Sequence, residues 1–283
     1  MGGSVATHES ERGRERSRMP AFPEGTEERP VHLRDFGRLF DLMRGIRREP
    51  APQFELRETE RPRSLPQLPL LTHLEALDAA DWLVASLTTF ARNVSSFLPG
   101  DLPAYARVYH PFDGDGSGND PRTWRELEAL TGEKLGDRGT AADFALSNAT
   151  NMQARVGNLP LPLIEVLVEH LTPATTTPEL CYFAVWEGHG DSVAPPGLKP
   201  KLELPNRAYD VFSGPVGAAR TSLSVIPFSH QSANLWWPAD QAWCVATEID
   251  FAWTYVGGAR DCIAAVLADP RLEAVETNAL ADW

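Results

Sequence analysis

The chain has 283 residues, 42% of them hydrophobic, with a mean hydropathy of −0.28 and a formal net charge of −13. That suffices for one large or two small domains with a sizeable core, and it argues against non-specific nucleic-acid binding, which needs clustered Lys and Arg. No stretch approaches the roughly 20 apolar residues that span a bilayer, the first residues lack the apolar core of a secretory signal, and Cys181, Cys244 and Cys262, without CxxC spacing, fit small buried hydrophobes in a reducing cytoplasm.

In chain order, residues 1–30 are Glu, Arg, Gly, Ser and Pro with few large apolar side chains. They cannot bury enough surface to offset ordering entropy and are expected to form a disordered leader. Residues 31–48 repeat Leu33, Phe36, Phe40 and Met43 at helical spacing, with Arg34, Arg38, Arg44, Arg47 and Arg48 around them. This predicts an amphipathic basic helix able to dock in cis, on a membrane surface or on a partner. Residues 49–69 hold Pro50, Pro52, Pro62, Pro66 and Pro69 and read as an extended linker. Residues 1–66 carry 13 basic and 12 acidic side chains, leaving 13 basic and 27 acidic for the remainder, so the folded part is the acidic part.

A single α+β domain is expected over residues 70–283, a helix-rich first half packed on a mainly antiparallel sheet from the second half. The spacing of Leu74, Leu77, Val84, Leu87 and Phe90 predicts one helix over residues 74–90. Ala104 to Tyr109 reads as a short strand. Thr123-Trp-Arg-Glu126 is a capping-box pattern that starts a helix over residues 124–131, with Gly132 as its stop. Residues 140–149 suggest another helix, and Pro162 fits the first turn of one over 162–171. Strands are expected at 180–186, 208–212, 222–226 and 272–276, and a helix at 259–267.

The densest signal is residues 234–258, which contain Trp236, Trp237, Trp243, Trp253 and Tyr255. Trp243, Val245, Thr247 and Ile249 alternate with Cys244, Ala246, Glu248 and Asp250, the period-two pattern of a strand. Pro238 to Gln241 supplies a turn, so 235–249 predicts a β-hairpin with a four-residue loop, and Gly257-Gly258 is read as its end.

Candidate chemistry is dispersed. Glu248 and Asp250, two apart on one strand face, could converge with Asp240, and paired carboxylates divide acid and base roles or hold a hard cation. The alternative is solvated acids, or an acid paired with Arg207 or Arg260. His110, His189 and His230 each sit in a turn, where a histidine can act as a base or metal ligand, but no HExxH spacing occurs. Asp113, Asp115 and Ser117 match the start of a calcium loop, but Trp124 stands where the bidentate Glu is needed. No GxSxG elbow, P-loop or dinucleotide fingerprint is present, and no cofactor is implied. Alternation places Trp236 and Trp237 on opposite faces, so at least one is exposed or covered by another element. An exposed one near Arg207 and Tyr209 would suit a ligand or partner surface.

The segments CYFAVWEG, PNRAYDVFSGP, LWWPADQAWCVATEID, TYVGG and DPRLEAVE together resemble a family of bacterial cytosolic proteins of unassigned function, over about residues 70–283. The resemblance implies one domain and no activity. The expected function is therefore non-enzymatic binding of a small molecule or protein through a Trp-rich sheet surface. The rival is a hydrolase or metal-dependent enzyme built from Asp240, Glu248 and Asp250 with His189 or His230.

Overall fold

The computed structural model describes residues 68–112, 123–131, 154–227 and 229–282. Packing divides the chain into Met1–Gln53 and Phe54–Trp283, and every described residue belongs to the second unit. The leader, the basic helix, most of the proline-rich linker, the helix expected at 140–149, Gly132, and the calcium-loop residues Asp113, Asp115 and Ser117 lie outside the described residues.

The unit is organised on one antiparallel sheet of nine described strands, β1 (Thr72–His73), β2 (Ala104–Tyr109), β3 (Cys181–Trp186), β4 (Leu202–Leu204), β5 (Arg207–Gly214), β6 (Leu235–Pro238), β7 (Trp243–Ala246), β8 (Trp253–Gly258) and β9 (Ala274–Thr277). They run in the order β1-β5-β3-β6-β7-β8-β2-β9, with β4 also on β5. The expected hairpin is present, with Leu235 opposite Ala246 and Trp236 opposite Val245, but β7 stops at Ala246, so Glu248 and Asp250 lie in the turn after the strand and not on one strand face as expected. Its turn is clasped by Asp240, whose carboxylate accepts from Thr175 Oγ1, Thr176 N, Thr176 Oγ1 and Ala242 N.

Two expectations change. The helix predicted over residues 74–90 is a 3-10 turn at Asp78–Ala80 and a short helix α1 (Asp81–Ser86), ending where Leu87 takes φ −95°, ψ 64°. Two threonines, Thr88 and Thr89, follow directly, and β-branched residues add little to hold a frayed end. The helix-rich first half is therefore not found among the described residues. Instead β2, from that half, lies between β8 and β9 with Ala104 opposite Gly258 and Tyr105 opposite Thr277. Secondly, Gly257 and Gly258 do not end the hairpin region but continue β8, and the segment expected at 222–226 makes only an isolated bridge, Ser192 to Ser224.

The capping box forms as read. Glu126 N donates to Thr123 Oγ1 at 3.1 Å and Thr123 N donates to Glu126 Oε2 at 2.9 Å, opening helix α2 (Trp124–Thr131). The carboxylate of Glu273 also accepts from Trp124 N and Arg125 N, joining this helix to the start of β9.

Both faces of the sheet are covered. On one, helices α3 (Leu161–Leu171) and α4 (Arg260–Ala268) and the 3-10 turn Val216–Arg220 pack on Val108, Phe183, Phe212, Trp236, Trp243, Val245 and Val256. On the other, residues 74–102 and Trp124 cover Tyr109, Tyr209, Val211, Leu235, Trp237, Ala246, Trp253 and Tyr255. The two-sided cover explains why β6, β7 and β8 are buried at every position.

Candidate functional site

One group of described polar and apolar side chains converges at the end of β7, under the irregular cover. Leu87, Phe90, Phe97, Leu204, Pro205, Tyr209 and Leu235 form apolar walls, and Arg207, Asn234, Glu248 and Ser96 supply polar groups. The cleft is open to solvent and holds about 360 Å³ of space outside the atoms. Its centre has room for little more than a water molecule.

The strand order builds this grouping. Arg207 opens β5, Asn234 precedes β6, and Glu248 follows β7, so three connections meet on one side of the sheet. Arg207 Nη2 donates to Glu248 Oε1 at 2.6 Å, and Asp250 Oδ2 lies 3.6 Å from the same nitrogen. Glu248 is buried, whereas the Asp250 side chain is 75% exposed. The Arg207 guanidinium also lies 5.9 Å from the ring centres of both Phe90 and Trp186, within cation–π range. Its Nη1 donates to Asn206 O, while its buried Nε–H has no partner among the described residues.

Burial pushes the Glu248 carboxyl above its ordinary range, opposed by the Arg207 charge and hydrogen bond. Burial likewise pushes the Tyr209 phenol up, with the Glu248 charge adding to it. Asn234 is fixed by its partners, since Oδ1 accepts from Trp186 N at 2.9 Å and Nδ2 donates to Thr247 O at 3.0 Å. His189 Nε2 reaches the same Oδ1 at 3.3 Å, and its ring packs edge-on to Trp186. Burial lowers the pKa of His189, favouring the neutral ring. Gly188 allows this, because a Cβ there would come within 2.1 Å of the Trp186 ring.

The structure thus brings together Arg207, Tyr209, Glu248 and Asp250, with His189 joined through Asn234 and Trp186. It separates Asp240, at the turn end of the hairpin, from Glu248, at the open end. Burial acts to raise the Asp240 carboxyl, but the bonds from Thr176, Thr175 and Ala242 outweigh it and hold the pKa below the ordinary value. His230 stands elsewhere, with its carbonyl accepting from Asn158 Nδ2 and its buried Nε2 without a partner among the described residues. Burial lowers its pKa, as does the Arg155 charge. Trp236 and Trp237 do point to opposite faces, but each is at most 2% exposed, so neither offers a contact surface. Trp237 Nε1 donates to Ala79 O beneath the irregular cover, and Trp236 packs edge-on to Trp243 on the helical side.

Sequence reading missed Asn234, Trp186, Phe90 and Phe97 as parts of one site. The turn that brings residues 87–97 over β5 leaves no periodic signal.

His110 lies within the fold. It is fully buried, and its Nδ1–H donates to Arg155 O at 2.7 Å, which leaves Nε2 to accept from Thr254 Oγ1 at 2.8 Å. The Thr254 hydroxyl then accepts from Thr247 Oγ1 at 2.7 Å, tying β2, β8 and the end of β7 together. Burial lowers the His110 pKa to about 4, so the ring is neutral.

Among the described residues no group of three or more His, Cys, Asp and Glu side chains is placed to hold a metal, and no helix is long and apolar enough to cross a membrane. No family model, curated protein or solved structure matches the chain.

Proposed function

We propose that this chain is a cytoplasmic binding protein that takes a small organic ligand in the Arg207–Glu248 cleft. The observation that carries the reading is the Arg207 side chain itself, which lines the apolar-walled cleft, is paired with Glu248, lies 5.9 Å from two aromatic ring centres, and keeps a buried Nε–H without a partner among the described residues. A buried unpaired donor costs about 1–3 kcal/mol, and a ligand oxygen that accepts from it removes that cost. Apolar walls with a few convergent polar groups are the usual make-up of ligand sites. The three buried free cysteines, Cys181, Cys244 and Cys262, support the cytoplasmic assignment. The enzyme alternative lacks equal support, because Asp240 and His230 lie away from Glu248.

The test is a thermal-shift screen of the full chain against small uncharged and charged fragments, run beside Leu204→Trp, which fills the mouth of the cleft. Binding to the native state raises the melting temperature by mass action. Fragments that stabilise the wild type and lose their effect in Leu204→Trp support the cleft. Stabilisation that is equal in both proteins places binding elsewhere and defeats the reading.

A further inference from the structure

Lys201 stands one residue before β4 and faces Asp210 of β5, across a hairpin closed by Pro205 and Asn206. Its Nζ donates to Asp210 Oδ1 at 2.8 Å and to Oδ2 at 2.9 Å. Near-equal distances to both oxygens hold the nitrogen in front of the carboxyl carbon, at the roughly 3–3.5 Å of a near-attack contact. A third group joins from β3. Glu187 follows that strand, its N–H donates to Ala208 O, and its Oε2 lies 3.4 Å from the same Nζ. The register of three neighbouring strands thus sets one amine against one carboxyl and beside a second. Asp210 alternates with Tyr209 along β5 and points to the opposite face of the sheet, so the group is separate from the Arg207–Glu248 cleft.

Water is kept from the pair but not from the third group. The side chains of Lys201 and Asp210 are 4% and 2% exposed, whereas that of Glu187 is 48% exposed. Taking two ions out of water is costly, and their mutual attraction offsets the cost only in part. A neutral link in the same place removes both charges. Burial pushes the Asp210 carboxyl above its ordinary range, against the Lys201 hydrogen bond and charge, which favours the acid form that an amine can attack. Burial lowers the pKa of His73, whose charge would also act on Asp210, so this neighbour brings no second cation at neutral pH.

We propose that the folded chain joins Lys201 to Asp210 by an amide bond between Nζ and Cγ, with Glu187 as the proton carrier. A proton passes within the pair from Nζ to the Asp210 carboxylate and leaves an amine facing an acid. The Nζ lone pair forms the C–N bond, Glu187 accepts a second proton from Nζ and returns it to the departing hydroxyl, and the C–O bond breaks to release water. Nothing is oxidised or reduced, so the link suits the reducing cytoplasm proposed above, where a disulfide does not. It staples the three-residue β4 to β5.

The test is the mass of the purified full chain, kept folded at pH 7 and then measured after denaturation. The chain is expected to weigh one water molecule less than its sequence. Trypsin is expected to leave the bond after Lys201 uncut, and the peptide ending at Arg207 is expected to travel joined to the one beginning at Ala208. Full sequence mass overturns the proposal and leaves a buried ion pair, and a lost water that maps to other residues overturns it equally. Lys201→Arg is expected to restore the full mass, and a variant still short by one water contradicts the assignment. Because that variant can also disturb folding, the peptide map of the wild type decides the bond by itself. Glu187→Gln is expected to form the link about a hundredfold more slowly and to be isolated largely unlinked. Complete linkage in Glu187→Gln overturns the role given to Glu187.

Discussion

The two faces of the sheet are covered in different ways. On one face α3 and α4 satisfy their own backbone hydrogen bonds and present side chains to an interior of Phe183, Phe212, Trp236, Trp243 and Val245. On the other, residues 74–102 include only a six-residue helix and two 3-10 turns, and they cover an aromatic layer of Tyr109, Tyr209, Trp237, Trp253 and Tyr255. A helix packs as a rod against a sheet and closes it. Irregular chain must reach each patch separately, and where it passes from Leu87 to Phe97 it leaves the cleft at Arg207 and Glu248. On the binding reading proposed above, the helical face carries the stability and the irregular face the recognition.

The sharpest way to break that comparison is to remove one tryptophan from each face. Trp243→Ala and Trp237→Ala each delete a fully buried ring whose Nε1 donates to a carbonyl, Leu171 O and Ala79 O respectively. Each is expected to lose about 3–5 kcal/mol in denaturant unfolding, with Trp243→Ala at the upper end because helices collapse into the cavity less readily than a loop does. Equal losses, or a larger one for Trp237→Ala, would remove the mechanical contrast.

The next effect in size is pH-dependent and lies within the sheet. The folded-state pKa of His110 is about 4, below the ordinary 6.5, so the folded state disfavours protonation. Its contribution is fully present above pH 6.5 and is lost as pH falls from 6.5 toward 4, by roughly 3 kcal/mol. Glu248 works in the opposite sense, because its raised pKa penalises the folded state when ionised, and that penalty is relieved on acidification. Urea unfolding of wild type and His110→Asn at pH 7 and pH 5 checks this, with a shallower pH slope expected in the variant. Identical slopes would show that His110 does not control the acid limb.

Much of the fold was legible in the sequence, and the parts that were not share a cause. The capping box at Thr123 and Glu126 and the hairpin are local patterns, and both form, the hairpin's second strand ending at Ala246 rather than at Ile249. The period-two alternation of Trp243 to Ile249 gave the strand its position, but it suggested one solvated face, whereas Cys244, Ala246 and Glu248 are buried under residues 74–102. β2 was read as a strand, but its place between β8 and β9 joins residues more than 140 positions apart in register, such as Arg107 with Tyr255, and no local pattern encodes that. The site followed the same rule. Arg207, Tyr209, Glu248 and Asp250 were identified one by one from residue type, while Asn234, Trp186 and Phe90 became visible only once β3, β5 and β6 were neighbours.

Two smaller effects sharpen the contrast at the cleft. Glu248→Leu leaves Arg207 without its close partner. Loss of one member of a buried pair costs about 3–5 kcal/mol, and the partial exposure of Arg207 reduces the expectation to about 2 kcal/mol. The paired change Arg207→Met with Glu248→Leu is expected to recover most of that loss. A double variant no better than the single one would mean that the pair's other contacts, not its charge, hold the site. Asp240→Asn at the far turn weakens the clasp on Thr175 and Thr176 and is expected to cost about 1 kcal/mol by denaturant unfolding, with no change in fragment binding. A change in binding there would extend the site to the opposite end of the hairpin.

The most direct measurement is the map of backbone amide chemical-shift changes when a fragment that stabilises the wild type in the thermal-shift screen is titrated into isotopically labelled full chain. The account predicts changes concentrated at Leu87 to Phe97, Leu204 to Tyr209, Asn234 and Thr247 to Asp250, all absent in Leu204→Trp. Changes concentrated on α3 and α4, or no saturable change at all, would contradict it.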